Sequence, residues 1–436
     1  MTLTPLLQRL NISALTPMQE ASLSTLPVKN NVLLLSPTGS GKTLAYLLPL
    51  LNLLEKNNTQ VQVLIIVPSR ELALQIEQVS KQLLTGFKVN AFYGGHSTLT
   101  ERHSLAEPPA VLIATPGRLC HHLRKKSLQL NQVKVLILDE FDKSLEAGFE
   151  EEMAFVIKHL HRLQKQILTS ATRIAEMPKF IRTNDLFELD FSESRVGSKS
   201  LLQQTAIQVP HRMDKSDALL LLLGKVHHHS SLVFCNRREE VQQISDRLQK
   251  EKIPHGIYHG GLEQNEREKV LIRLRNGSVT LLITTDLAAR GLDIPDIENV
   301  IHLALPLNEE TRVHRNGRTA RMEASGHVFY LLEAEDTLPA SVKAESGELP
   351  NAFKVLPVSE WKTLYFSAGK KDKVNKMDIV GMLLQKGGIQ KDELGKIDVL
   401  DHQSYAAVKS KVIHQLLNKI ANEKIKNKKV KVEIAS

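Results

Sequence analysis

The chain has 436 residues with 42% hydrophobic content, enough for two or three domains with cores of their own. No apolar run reaches the roughly 18 residues a membrane span needs, Met1 to Leu15 lacks the basic-then-apolar order of a signal peptide, and Cys120 and Cys235 have no metal-ligand spacing. This excludes a membrane protein and a zinc or disulfide framework, predicts the cytoplasm, and leaves a net charge of +9 of which the stretch from Trp361 onward carries +8 (sixteen lysines, no arginine, eight carboxylates), the footprint of a nucleic-acid anchor.

In chain order, Gln19 comes first: its amide can make the bidentate pairing that reads an adenine edge. The next segment is Val32 to Leu35, a short apolar strand, running into Ser36-Pro37-Thr38-Gly39-Ser40-Gly41-Lys42-Thr43 and then a helical pattern. Strand, glycine loop and helix start wrap phosphates. Backbone N–H groups of the loop point inward, Lys42 reaches the β/γ-phosphates, and the Thr43 hydroxyl ligates Mg²⁺. The strict motif has Gly where this chain has Ser36.

Apolar strands at Val63–Val67, Val111–Ala114, Val135–Leu138 and Gln166–Thr169 then alternate with amphipathic helices such as Glu71 to Leu84. This order predicts a parallel sheet covered on both faces, with its chemistry at the carboxyl ends of the strands. Pro68 to Glu71, Thr115 to Arg118, Asp139-Glu140 and Ser170-Ala171-Thr172 all fall there. Asp139 is placed to hold Mg²⁺, and Glu140 to orient or deprotonate an attacking water.

Ser192 to Ser200 reads as a linker, and a second alternating unit follows, with strands at 231–235, 256–258, 280–284, 300–303 and 326–330. His227-His228-His229 reads as a loop rather than a metal site, since adjacent histidines cannot all face one ion without strain. In His314 to Arg321 the arginines recur every three residues, which predicts a helix face bearing Arg318 and Arg321 and a phosphate chain as their ligand. Ala334 to Pro350 reads as an acidic second linker. The last segment reads β-α-β-β-α-β, with strands at 363–367, 396–400, 404–408 and 430–434 and helices at 378–385 and 409–420, the split βαβ order.

Taken together, Gln19, Ser36 to Thr43, Pro68 to Ala73, Gly94-Gly95, Thr115 to Arg118, Asp139-Glu140-Phe141-Asp142, Ser170 to Thr172, Gln264 to Arg267, Thr285-Asp286 through Arg290 to Asp293, and His314 to Arg321 resemble the motif series of the DEAD-box RNA helicases. The resemblance covers nearly the whole chain. It implies an α/β chain of two tandem RecA-like parallel-sheet domains (residues 1–195 and 201–345) followed by a small α+β RRM-like domain (358–436). It implies ATP and Mg²⁺ as cofactors and RNA as partner, with no membrane.

The resemblance also assigns residues. Gln19 reads adenine. Thr38, Gly39, Ser40, Gly41, Lys42 and Thr43 hold the phosphates. Thr43 and Asp139 hold Mg²⁺, Glu140 acts on the hydrolytic water, Asp293 binds ribose, and Arg318 and Arg321 bind the γ-phosphate. Arg70, Gly95, Thr115, Arg118 and Thr285 line the RNA track, while Asp142, Ser170, Thr172 and His314 couple the halves. Phe141 stands where the family has Ala, which predicts altered coupling. No aromatic precedes Gln19, the family's place for one falling on Thr2, which predicts weak nucleotide affinity.

From Trp361 onward the chain resembles the RNA-binding domain of DbpA-type members. That implies large-subunit ribosomal RNA and pre-ribosomal particles as targets, with Tyr365 and Tyr405 stacking bases and Lys370, Lys371 and Lys373 meeting phosphates. A general RNA chaperone or decay-associated helicase, a non-enzymatic RNA clamp and a DNA helicase stay open as alternatives on the sequence.

Overall fold

The computed structural model describes the chain apart from residues 1–3, 11, 38, 96–100, 102–103, 175, 193–201, 227–228, 290–296, 320–324, 353–358, 427 and 436. Thr38, Asp293 and Arg321, most of the first linker, and His227 and His228 therefore lie outside the described residues.

The chain divides into two compact units, residues 1–200 and most of residues 201–436. The first holds a seven-stranded, all-parallel sheet. Across it the strands run Val89–Phe92, Val111–Ala114, Val63–Ile66, Val135–Leu138, Lys165–Ser170, Asn31–Leu35 and Leu186–Asp190. Its central strands are apolar on both faces because helices cover both, as a parallel sheet requires. Asn31–Leu35 and Val135–Leu138 flank Lys165–Ser170, so the three loops leaving their carboxyl ends are neighbours.

The second unit opens with another seven-stranded parallel sheet, in the order Gly256–Tyr258, Leu281–Thr284, Ser231–Phe234, Asn299–His302, Gly326–Leu332, Leu202–Gln208 and Glu345–Gly347. The expected acidic linker is thus partly structure: Glu345–Gly347 pairs alongside Thr205 to Ile207 as an edge strand. Another correction concerns the arginine series. The helix Glu309–Asn316 ends at Gly317, and the Arg318 N–H bonds the Arg315 carbonyl three residues back at 3.1 Å, so Arg318 follows the helix instead of sharing its face.

The same unit ends in a four-stranded antiparallel sheet ordered Leu394–Val399, Ser404–Lys409, Trp361–Phe366 and Val432–Ile434. Helices Lys376–Gly381 and Ile413–Ile420 cover one face around Leu364, Phe366, Leu383 and Leu416. The predicted helix 409–420 is shorter at its start, because Lys409 is still in the strand, opposite Trp361. This small domain packs on the larger sheet's layer within the unit. Tyr405 and Ala435 bury against Ile272 of the helix Gln264–Arg275, Asn276 and Ser278 bond the Thr363 hydroxyl at 2.9 and 2.7 Å, and Ser359 donates to the Gly277 carbonyl at 2.7 Å.

Candidate active site and nucleic-acid interface

The phosphate loop leaves Asn31–Leu35 and enters the helix Lys42–Leu50. Gly39 and Gly41 adopt φ of +79° and +91°, the left-handed region that L side chains avoid. A methyl group on Gly41 would also lie 2.5 Å from Gln19 Nε2. Ser36 fits where the strict motif has Gly because it prolongs the strand. Its N–H donates to the Ser170 carbonyl at 3.0 Å and its hydroxyl to Ser40 Oγ at 2.7 Å. Lys42 Nζ, almost wholly buried, donates to the Ser36 carbonyl at 2.5 Å. Gln19 lies against the loop: its Nε2 donates to the Gly41 carbonyl at 3.3 Å and its Oε1 accepts from Thr16 N–H at 3.0 Å. The adenine-reading candidate and the phosphate loop are thus mechanically linked.

Asp139 follows Val135–Leu138 and is 3% exposed. Tyr46 Oη donates to its Oδ2 at 2.8 Å, Thr169 Oγ1 donates to its Oδ1, and Glu140 N–H reaches Oδ1 at 3.1 Å and Thr169 Oγ1 at 3.2 Å. Burial and then the Asp139 charge push the Tyr46 phenol well above its ordinary pKa, while the Thr43 hydroxyl acts on the same phenol in the opposite sense. Thr43 and Asp139, the two predicted Mg²⁺ ligands, therefore converge on one phenol. Oxygen donors of this kind, a hydroxyl and a carboxylate beside a phosphate loop, fit Mg²⁺. Glu140 holds φ of +49°, a conformation that costs a non-glycine residue on the order of 1 kcal/mol and that recurs at functional sites.

Asp142 reaches the neighbouring loop. Its Oδ2 accepts from Ala171 N–H at 3.1 Å and Thr172 Oγ1 at 3.2 Å, while Ser170 Oγ donates to the Thr172 carbonyl at 2.6 Å. The Phe141 ring is fully buried in the core, edge-on to Phe180 at 6.3 Å between centroids.

Four of the RNA-track candidates sit at the same carboxyl edge. Arg70 begins the helix Arg70–Leu83 and donates to the Gly94 carbonyl at 3.1 Å. A methyl group on Gly95 would come within 2.6 Å of Arg70 Nη1, so glycine there admits the guanidinium. Thr115 caps the helix Pro116–Arg124. Arg118 is gripped by Glu101, at 2.6 Å from both Nε and Nη2, and the same Glu101 oxygen meets His122 Nε2 at 2.7 Å. Nothing in the sequence series pointed to Glu101 or His122.

In the second unit, Thr285 follows Leu281–Thr284 and its N–H donates to the Tyr258 carbonyl at 3.3 Å. Arg315 was passed over in the sequence in favour of His314 and Arg318. It is the most heavily bonded side chain here: Nε and Nη2 donate to the two Asp286 oxygens at 2.6 and 3.1 Å, Nη1 to the Ala304 carbonyl at 2.7 Å and Nη2 to Asn236 at 2.7 Å. It fixes the loop carrying Thr285 to the segment carrying His314 and Arg318, both buried.

In the C-terminal domain, Lys370, Lys371 and Lys373 are exposed on one turn. Lys426 Nζ donates to the Lys373 carbonyl at 2.5 Å and Lys428 Nζ lies 3.7 Å from Asp372, so the Lys-rich hairpin and this turn form one basic cluster. Tyr405 corrects an expectation. It is 2% exposed and its ring is spent on Ile272 and Ala435, so it presents no face to a base. Tyr365 leans on it, ring centroids 5.6 Å apart, and is half-buried.

Three family profiles match this chain: DEAD/DEAH box helicase over residues 16–180, helicase conserved C-terminal domain over 214–323, and DbpA RNA binding domain over 363–434. The chain is 32% identical over 98% of its length to the ATP-dependent RNA helicase DbpA of Escherichia coli, covering 96% of that protein. It is 29% identical over 99% of its length to the ATP-dependent RNA helicase DbpA of Bacillus subtilis, covering 96%. Among solved structures, S. cerevisiae Dbp5 bound to RNA and ADP BeF3 matches with a TM-score of 0.68 at 25% identity, over 76% of this chain and 87% of that one. The chain belongs to the DEAD-box ATP-dependent RNA helicases, in the branch that carries a DbpA RNA-binding domain.

Proposed function

We propose that this RNA-dependent ATPase opens structured RNA within large-subunit ribosomal RNA during ribosome assembly, and that its C-terminal domain supplies the address. Lys42 and the loop around it hold the ATP phosphates, Glu140 orients and deprotonates the attacking water, and Arg318 and Arg321 meet the γ-phosphate. Thr43 and Asp139 would hold Mg²⁺, which when bound would neutralise charge on the phosphate oxygens. Gln19 reads adenine and Asp293 the ribose, while Arg70, Gly95, Thr115, Arg118 and Thr285 follow the RNA backbone. Tethering raises the local concentration of the core beside one RNA site, so the address needs no change in the motor.

The observation that carries this reading is the basic cluster of Lys370, Lys371, Lys373, Lys426 and Lys428 on a domain anchored to the second lobe. A solvated lysine surface is the plainer alternative, and the two differ in selectivity. The deciding experiment is RNA cross-linking and sequencing in cells with full-length protein. Reads concentrated in one region of large-subunit ribosomal RNA support the proposal. Reads spread over messenger RNA in proportion to abundance favour a general chaperone or decay helicase instead.

A further inference from the structure

We propose that Tyr46 is a positioning residue for Mg²⁺: together with Thr169 it clamps the Asp139 carboxylate so that one lone pair of Oδ2 is left for the metal site. This rests on Asp139 being the Mg²⁺ carboxylate.

Tyr46 sits one turn beyond Thr43 and Lys42 on the helix Lys42–Leu50, at the spacing that shares their face. The other inward residues of that helix, Ala45, Leu47, Leu48 and Leu50, are hydrocarbon, and Tyr46 is as fully buried as they are. Packing alone would be served by a plain ring. A hydroxyl carried into such a core costs free energy unless it is bonded, and this one is spent on Asp139.

Asp139 is itself a buried carboxylate to which, among the described residues, no lysine or arginine is paired. It is held by neutral donors: Tyr46 on Oδ2, and Thr169 and Glu140 N–H on Oδ1. A carboxylate offers about four lone-pair sites, and three are taken. The site left over lies on Oδ2, the oxygen Tyr46 fixes. The two clamping hydroxyls come from a helix and a central strand, Lys42–Leu50 and Lys165–Ser170, so the carboxylate plane is set by rigid elements. A basic partner in place of these hydroxyls would cancel the charge a cation needs. Neutral donors orient it and leave it negative.

The test uses full-length protein and binding of a fluorescent ADP analogue, titrated with MgCl₂ and repeated in EDTA, with thermal unfolding run in parallel. Tyr46→Phe keeps the ring and removes the donor, Thr169→Val does the same at the other oxygen, and Asp139→Asn removes the charge. Loss of one hydrogen bond to a charged group corresponds to about tenfold weaker Mg²⁺-dependent binding, with binding in EDTA unchanged for either clamp variant. Asp139→Asn loses more. Should Asp139→Asn lose Mg²⁺ dependence while Tyr46→Phe and Thr169→Val retain it, or should the clamp variants weaken binding equally in EDTA, the positioning role is overturned and Tyr46 is packing. An Asp139→Asn protein with unaltered Mg²⁺ dependence instead removes the underlying assignment. If Tyr46→Phe proves unfolded, Thr169→Val alone decides.

Discussion

The Asp142 carboxylate bonds the Thr172 hydroxyl at 3.2 Å and the Ala171 N–H at 3.1 Å, tying the loop after Val135–Leu138 to the loop after Lys165–Ser170. Asp142 lies two residues beyond Glu140, so a displacement of either loop is felt at the other. Ser170 Oγ closes the second loop on itself through the Thr172 carbonyl. Ser170→Ala with Thr172→Ala removes the two hydroxyl contacts, keeps the Ala171 N–H bond to Asp142, and leaves Asp139, Glu140 and Lys42 untouched. The expected result is RNA-stimulated ATP turnover within about threefold of the parent and duplex separation reduced by more than tenfold, about 1.4 kcal/mol of lost coupling. Parallel ATPase and strand-displacement assays decide, and an equal loss in both would mean the contact serves turnover itself.

Glu140 holds a left-handed backbone at φ +49°, with its N–H engaged by Asp139 and Thr169. Glu140→Gln preserves that geometry and removes the carboxylate proposed as the base. ATP turnover should fall at least a hundredfold, the usual reach of general base catalysis, while ATP and RNA binding persist. Stopped-flow phosphate release with equilibrium nucleotide binding measures both. Turnover within tenfold of the parent would transfer the role to another group.

How much of this was legible beforehand differs by element. Strands such as Val63–Ile66 and Val135–Leu138 are buried on both faces and read as unbroken apolar runs. Leu186–Asp190 and Leu202–Gln208 escaped, because each is a half-exposed, mixed-polarity strand toward a sheet edge and carries no such run. The phosphate loop and Asp139-Glu140 could be read because local order sets them: glycines, then Lys42 and Thr43, and a carboxylate pair at a strand's end. Partnerships that need the tertiary fold could not. Arg315 with Asp286, Glu101 with Arg118 and His122, and Tyr46 with Asp139 join residues far apart in sequence. Tyr405 misled for the same reason, since an aromatic on a sheet face reads alike whether it awaits a base or a helix.

The basic cluster makes an ionic prediction. Each lysine that neutralises a phosphate contributes about 0.9 to the slope of log affinity against log salt. Lys370→Gln, Lys371→Gln and Lys373→Gln together should lower that slope by about 2 to 3 for structured ribosomal RNA and weaken binding to unrelated RNA by a similar factor. These side chains are exposed, so melting temperature should hold. Filter binding across a salt series reads the outcome, and an unchanged slope would locate RNA contact elsewhere.

His302 gives the second lobe a defined acid sensitivity. It is fully buried, stacked on Tyr330 at 4.6 Å between centroids, with Nε2–H donating to Asn316 Oδ1 at 2.8 Å and Nδ1 facing Arg315 at 3.5 Å. Burial, then the Arg315 charge, depress its pKa from 6.5 to about 3. Between those values the unfolded chain takes up a proton that the native ring refuses, so native stability falls as pH drops through 6.5 and continues falling toward 3. The contribution is about 1 kcal/mol per pH unit once below 6. His302→Gln removes this dependence. It should be less stable than the parent at pH 7, through loss of the stacked ring, and the gap should narrow by about 2 to 3 kcal/mol by pH 4.5. Urea midpoints of both proteins across that range test it, and a gap that stays constant with pH would show that His302 is protonated in the native state.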